Sequence, residues 1–97
     1  MSKLEVIKFE KPSCAPCVAV SEMLDKAGIE HQKVNYIAAI DMAQEMGVRT
    51  VPTVFAIKEI EGKKVVQFQA RGANPEDIKA FVEKVSSYHK TEGPMYD

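Results

Sequence analysis

The sequence has no tryptophan, only two cysteines and no long apolar run. A membrane-spanning helix needs roughly 18 or more apolar residues in succession, and no segment approaches that length. Basic and acidic side chains are nearly balanced, 13 against 14, and no basic stripe could follow a phosphate backbone. We therefore expect neither a membrane protein nor a nucleic-acid-binding protein. Without tryptophan, the core must consist of Leu, Ile, Val, Phe and Met.

The 97 residues match the length of one domain, and an apolar content of 45% is typical of a globular protein. The first five residues lead straight into a strand-like segment, without the apolar core or cleavage site of a secretory signal. We therefore expect a cytoplasmic, monomeric protein with one domain at 1–89. A tail at 90–97, with Gly93 followed by Pro94 and few apolar residues, is predicted to be flexible.

The hydrophobic pattern alternates between strands and helices. It predicts strands at 4–10, 29–36, 53–57 and 65–69, and helices at 14–27, 38–46 and from 75 onward. The last helix has the start signal Asn74-Pro75, an N-cap residue followed by proline at the first helical position. The order β-α-β-α-β-β-α predicts an α/β fold: a four-stranded mixed sheet with three helices on both faces.

The two cysteines form the motif Cys14-Ala15-Pro16-Cys17 at the predicted start of the first helix. Free backbone N–H groups and the helix dipole favour an anion there, which lowers the pKa of the Cys14 thiol. The thiolate is the form that attacks a disulfide, and Cys17 lies one turn further on. We therefore predict Cys14 as the nucleophile and Cys17 as the resolving cysteine. Ala15 and Pro16 tune the pair, since proline restricts the loop and removes one N–H donor.

Two other interpretations of the cysteines remain open. Both could be buried apolar residues without reactivity. They could also be half of a tetrahedral zinc site, for which only His31 and His89 would remain as further ligands. The spacing from Cys17 to His31 suits a zinc finger, but no second histidine follows within the usual interval. A metal-binding or scaffold module is therefore the alternative from another class.

Four features recur in one order: a strand with Phe9 before the cysteine motif, the Cys-Ala-Pro-Cys helix start, the segment Thr50-Val51-Pro52-Thr53 before a hairpin, and Gly72 before the last helix. With these features the chain resembles the thioredoxin superfamily from about residue 6 to residue 85, although Glu10 and Ser13 stand where thioredoxins have tryptophans. The resemblance implies a thioredoxin-like fold and a thiol-disulfide oxidoreductase that reduces protein disulfides without a cofactor.

The resemblance also implies a substrate-binding segment. Pro52 is expected to be cis and to face the two sulfurs, with Val51 offering its backbone N–H and C=O to an extended substrate chain beside Thr50. An ordinary trans proline that starts an edge strand is the alternative. The implied electron donor is thioredoxin reductase or a similar flavin-dependent reductase. The implied partners are proteins with disulfides, with ribonucleotide reductase among the candidates.

Two subfamilies compete for the assignment. Lys11, three residues before Cys14, is similar to the lysine with which glutaredoxins contact the glutathione carboxylate, so it is a candidate substrate-binding residue. The Ala-Pro pair instead resembles the Gly-Pro of thioredoxins. The glutaredoxin Gly-Gly-x-x-Asp segment is replaced here by the sequence of residues 71–75. A small thioredoxin-like protein of bacterial or phage type is the best match, and a glutathione-dependent glutaredoxin is the alternative.

Lys8 departs from the family pattern, because thioredoxins bury an aspartate at this position beneath the resolving cysteine. Strand parity places Lys8 on the same face as Leu4 and Val6. We interpret it as a lysine whose head reaches water, and the competing hypothesis is that it tunes a nearby thiolate. His31 and His89 are predicted to be surface histidines.

Overall fold

A central sheet lies between helices in the computed structural model, which describes the backbone of residues 4–92 and the side chains of residues 4–88. The elements are β1 (Glu5–Glu10), α1 (Ala15–Lys26), β2 (Gln32–Asn35), α2 (Ile40–Glu45), β3 (Thr53–Ile60), β4 (Lys63–Arg71) and α3 (Pro75–Glu92). The strand order is β2-β1-β3-β4, with β1 and β2 parallel and the other pairs antiparallel. The predicted fold and element order are confirmed.

Several elements begin or end at other residues than predicted. The β3–β4 hairpin is longer than predicted because its pairing extends to Ile60 and Lys63. Its turn residues Glu61 and Gly62 both have positive φ, the geometry of a tight two-residue hairpin turn. By contrast, β2 is shorter than predicted, and most of its residues are polar and exposed. Helix α3 continues to Glu92, beyond the predicted boundary at residue 89, and the rest of the predicted tail lies outside the described residues.

Two apolar clusters, one on each face of the sheet, hold the layers together. The larger cluster joins the sheet to α1 and α3 and consists of Leu4, Val6, Val20, Leu24, Val54, Ala56, Ala70, Ile78, Phe81 and Val85. The smaller cluster joins the opposite face to α2 and consists of Ile7, Phe9, Ala43, Val48, Phe55 and Ile57. Neighbouring residues of β1 and β3 belong to different clusters, as the alternation of side chains in a strand requires. Helices therefore cover both faces of the sheet.

The strand register brings three chain segments to one edge of the sheet. Phe9, near the end of β1, pairs with Thr53, the first residue of β3. The end of β1 leads through a short turn into α1, and the loop before β3 carries Pro52. We call this region the active-site edge. No helix among residues 4–92 is long and apolar enough to cross a membrane.

Candidate active site

Cys14 caps the N-terminus of α1. Its backbone is extended, with φ −110° and ψ 99°, and its sulfur accepts a hydrogen bond of 3.1 Å from the Cys17 backbone N–H. The helix ladder starts at the same residue, since the Val18 N–H donates to the Cys14 carbonyl at 3.1 Å. Pro16 is accommodated because the first-turn N–H groups have no partner within a helix. The sulfur of Cys14 therefore sits where the helix favours negative charge.

The two cysteines are joined as a disulfide, with their Cα atoms 5.2 Å apart. Cys14 is 7% exposed and Cys17 is 2% exposed, so Cys14 is the more exposed residue of the pair. A surface depression of about 500 Å³ opens beside them. Its lining comprises Glu10, Lys11, Pro12, Ser13, Cys14, Ala15, Cys17 and Val18. The predicted nucleophile, resolving cysteine, Ala15 and Lys11 thus lie in one place.

The Val51–Pro52 peptide bond is cis, and Pro52 is fully buried. Two hydrogen bonds fix this loop: the Thr53 hydroxyl donates to the Thr50 carbonyl at 2.7 Å, and the Gly72 N–H donates to the Pro52 carbonyl at 2.8 Å. Val51 is half-buried and packs against the smaller apolar cluster. Since Phe9 pairs with Thr53, the segment 50–52 lies at the active-site edge together with the dithiol.

Lys8 is buried, and the prediction that its head reaches water is wrong. Its strand parity was predicted correctly, but its side chain is only 1% exposed and points at α1. The ammonium group donates to the Cys17 carbonyl at 2.9 Å and to the Ser21 hydroxyl, and it lies 2.6 Å from a carboxylate oxygen of Glu10. Three acceptors match the three protons of an ammonium group, which explains how a charged lysine can be buried.

His31 is also enclosed, and the prediction of a surface histidine is wrong. Its side chain is 3% exposed, although β2 begins one residue later and is polar. Nε2 lies 3.1 Å from the Ser21 hydroxyl, Nδ1 lies 3.1 Å from the Ile29 carbonyl, and Asp25 approaches Nδ1 at 3.9 Å. The side chain of His89 lies outside the described residues.

The hydrogen-bond partners of the two ring nitrogens determine the tautomer of His31. Nδ1 lies against the carbonyl of Ile29, which can only accept, so Nδ1 carries the ring proton and donates it. In this tautomer Nε2 accepts, and the Ser21 O–H, whose oxygen accepts from Lys8, donates to it. Lys8, Glu10, Ser21 and His31 thus form one connected group, which we call the polar network.

Ser21 was missed by sequence reasoning, although a signal was present. It follows Cys17 by four residues on α1, so the two share a helix face. Val20 and Leu24 on that helix are buried, and a serine among them needs a polar partner from another element. That partner, Lys8, stands on β1 with the parity that faces the helix.

The described side chains include no group of three or more His, Cys, Asp or Glu placed to hold a metal ion. Within residues 4–88, His31 is hydrogen-bonded to Ser21 and Ile29, and the cysteines are bonded to each other. The arrangement therefore favours redox chemistry at the cysteines over the zinc alternative.

Known proteins resemble the chain in sequence and in fold. The model of the glutaredoxin family matches residues 6–63, more than half of the chain. A prophage-derived thioredoxin-like protein of Bacillus subtilis is 31% identical over 62 residues, covering 64% of this chain and 76% of the relative. A thioredoxin-like protein of Fusarium culmorum is 31% identical over 91 residues, covering 82% of this chain and 74% of the relative.

Two solved thioredoxins show the same fold. Trichomonas vaginalis thioredoxin superposes with a TM-score of 0.67 at 26% identity, covering 84% of this chain and 78% of its own. Malassezia sympodialis thioredoxin superposes with a TM-score of 0.65 at 28% identity, covering 87% of this chain and 78% of its own. The family model and these relatives show that the chain belongs to the glutaredoxin family, within the thioredoxin superfamily of redox proteins.

Proposed function

We propose that the chain is a reductase of protein disulfides that works through the reversible Cys14–Cys17 dithiol. The observation that carries the proposal is the position of Cys14 as the N-cap of α1, with the Cys17 N–H donating to its sulfur. That hydrogen bond and the helix dipole both stabilise a thiolate more than a thiol. A stabilised thiolate at the more exposed cysteine is what attack on a substrate disulfide requires.

The reaction proceeds in two exchanges. The Cys14 thiolate attacks one sulfur of the substrate disulfide, so a mixed disulfide forms and the other substrate sulfur leaves as a thiolate. The Cys17 thiolate then attacks Cys14, the Cys14–Cys17 disulfide forms, and the second substrate thiolate is released. Each departing thiolate takes up a proton from water. Two electrons pass from the dithiol to the substrate, and an external reductant must restore the dithiol.

The segment 50–52 is proposed to position the substrate chain. Val51 stands at the active-site edge, where its backbone N–H and C=O can pair with an extended peptide next to the scissile disulfide. Thr50 holds the loop through the hydrogen bond from Thr53, and Pro52 is anchored by Gly72. Recognition through backbone groups accepts many sequences, in keeping with a general reductase of protein disulfides.

A glutathione-dependent reaction is the second candidate, and two observations favour it. The family model that matches the chain is that of the glutaredoxins. Lys11 is exposed and lines the surface depression beside Cys14, where an ammonium could bind the carboxylate of a small thiol substrate. In this case glutathione, rather than a flavin-dependent reductase, would return the electrons.

The test is NADPH-coupled reduction of insulin with two electron donors in parallel. One arm supplies thioredoxin reductase, and the other supplies glutathione with glutathione reductase. We expect turnover with thioredoxin reductase and none with Cys14→Ser in either arm. Turnover only with glutathione would support the second candidate. Absence of turnover in both arms, with a correctly folded protein, would overturn the proposal of a general protein-disulfide reductase.

A further inference from the structure

The buried ammonium of Lys8 needs an explanation other than stability. Burial of an ion pair costs several kcal/mol per ion, and replacement by apolar residues of similar size is often neutral or stabilising. Lys8 stands on the same strand face as Leu4 and Val6, where an apolar residue would extend the larger cluster. A charge at this place therefore points to an action on its neighbour Cys17, whose backbone carbonyl accepts a hydrogen bond from the ammonium.

Three contacts hold the charge in one position. The Cys17 carbonyl and the Ser21 hydroxyl each accept a hydrogen bond from the ammonium, and the Glu10 carboxylate forms an ion pair with it at 2.6 Å. Ser21 is oriented in turn, because its own proton is committed to Nε2 of His31. These contacts hold the ammonium against the backbone of Cys17.

We propose that Lys8 is a positioning residue for the second exchange: its fixed positive charge favours the thiolate form of Cys17 when the dithiol is reduced or the mixed disulfide has formed. This inference rests on the proposed function, since it names the residue that prepares the resolving step. Cys17 is 2% exposed, and burial alone would disfavour its thiolate. A nearby opposite charge offsets that penalty.

The step balances without a further reactant. The Cys17 thiol gives its proton to water, and the thiolate attacks the Cys14 sulfur of the mixed disulfide. The bond between Cys14 and the substrate sulfur breaks, and its electron pair leaves on the substrate sulfur, which takes a proton from water. Lys8 neither gains nor loses a proton in this sequence. It changes only the fraction of Cys17 that is present as the thiolate.

Other charged groups near Cys17 determine the direction in which each variant should shift the pKa of Cys17. Glu10, on the same strand as Lys8, is 29% exposed, lines the depression beside both cysteines and carries a negative charge that opposes the ammonium. His31 enters from the segment before β2 and is neutral in the assigned hydrogen-bond pattern, with Asp25 of α1 beyond it. Loss of Lys8 should therefore disfavour the Cys17 thiolate, whereas loss of the Glu10 charge should favour it.

The experiment titrates Cys17 as the sole thiol, in a Cys14→Ser background, by the ultraviolet absorbance of the thiolate. Lys8→Met should raise the pKa of Cys17 by about one unit, a roughly tenfold loss of thiolate at pH values below it. Glu10→Gln should shift the pKa in the opposite direction. The matched control is Lys33→Met, because Lys33 pairs in register with Lys8 on β2 but is exposed. It should leave the pKa unchanged.

The two shifts of opposite sign separate an electrostatic role from a structural one. A residue that only holds the helix in place would give shifts of the same sign, or none, when Lys8 and Glu10 are replaced in turn. If Lys8→Met does not fold, Lys8→Gln takes its place, because a neutral amide side chain can still donate to the Cys17 carbonyl. It should also raise the pKa of Cys17. Equal titration curves for the Lys8 variant and Lys33→Met would overturn the inference. The titration needs no turnover, so failure of the insulin assay would leave its result intact.

Discussion

The position of Cys14 at the helix start predicts how a charge in the first turn of α1 affects its thiolate. That turn contains no acidic residue, although acidic side chains are the usual complement to a helix N-terminus. A carboxylate introduced there would lie beside the Cys14 sulfur. We therefore expect Ala15→Asp, a change at an exposed position, to disfavour the Cys14 thiolate.

The size of this effect follows from Coulomb's law. Two unit charges roughly 7 Å apart repel by about 0.6 kcal/mol in water and by about 2.4 kcal/mol at an effective dielectric constant of 20. Ala15 is exposed at the rim of the depression, so the lower half of this range applies. Because 1.36 kcal/mol corresponds to one pKa unit, we expect the pKa of the Cys14 thiol to rise by about 0.5 to 1 unit.

The assay is the rate of alkylation of Cys14 by iodoacetamide as a function of pH, in a Cys17→Ser background that keeps the backbone N–H donor. Ala15→Asn is the control, since it has nearly the same shape without the charge. At a fixed pH below the pKa, the Asp variant should react about three to ten times more slowly than the Asn variant. Its unfolding temperature should not fall, because an acidic first turn complements the helix dipole. Equal reaction rates for the two variants would refute the placement of the Cys14 sulfur at the helix start.

Two further predictions concern the surroundings of the dithiol. Gly72 has φ +78° and open space where a methyl group would lie, so Gly72→Ala should destabilise the protein by about 1 kcal/mol through backbone conformation alone. The measurement is the urea midpoint of unfolding, with an unchanged slope. Gly72→Asn should lower the midpoint less, because asparagine tolerates this conformation. An Ala variant as stable as the parent would contradict this prediction. Lys11→Gln should slow reduction by glutathione about two- to fivefold, the range expected for an exposed ion pair, with a smaller effect at high salt. No change in the glutathione arm would remove Lys11 from the substrate-binding residues.

The reactive dithiol could be predicted from the sequence because its signal is local. Cys14 and Cys17 are one turn apart at a strand-to-helix boundary, and the helix physics that activates Cys14 acts within that same turn. The end of the first helix, predicted at residue 27, depends on a local signal as well, since Gly28 follows it with φ +73°. Fold class followed from the alternation of strand and helix patterns. These inferences require no knowledge of contacts between distant segments.

The polar network could not be predicted in the same way. Burial of Lys8 depends on acceptors from α1, and the enclosure of His31 depends on Ser21, so each residue is explained by another that is far away in sequence. Taken alone, a lysine on a strand and a histidine beside a polar strand both favour exposure. Parity placed Lys8 on the correct face, but only the packed structure shows that three acceptors meet its ammonium group.

The most direct test of the redox assignment is to trap the mixed disulfide. Reduced Cys17→Ser is incubated with a disulfide-bonded protein such as insulin, and the products are separated without reductant and identified by mass spectrometry. We expect a covalent complex through Cys14 that dithiothreitol reduces back to its components, and no complex with Cys14→Ser. A complex that forms equally through Cys17, or none with either variant, would contradict the roles assigned to the two cysteines.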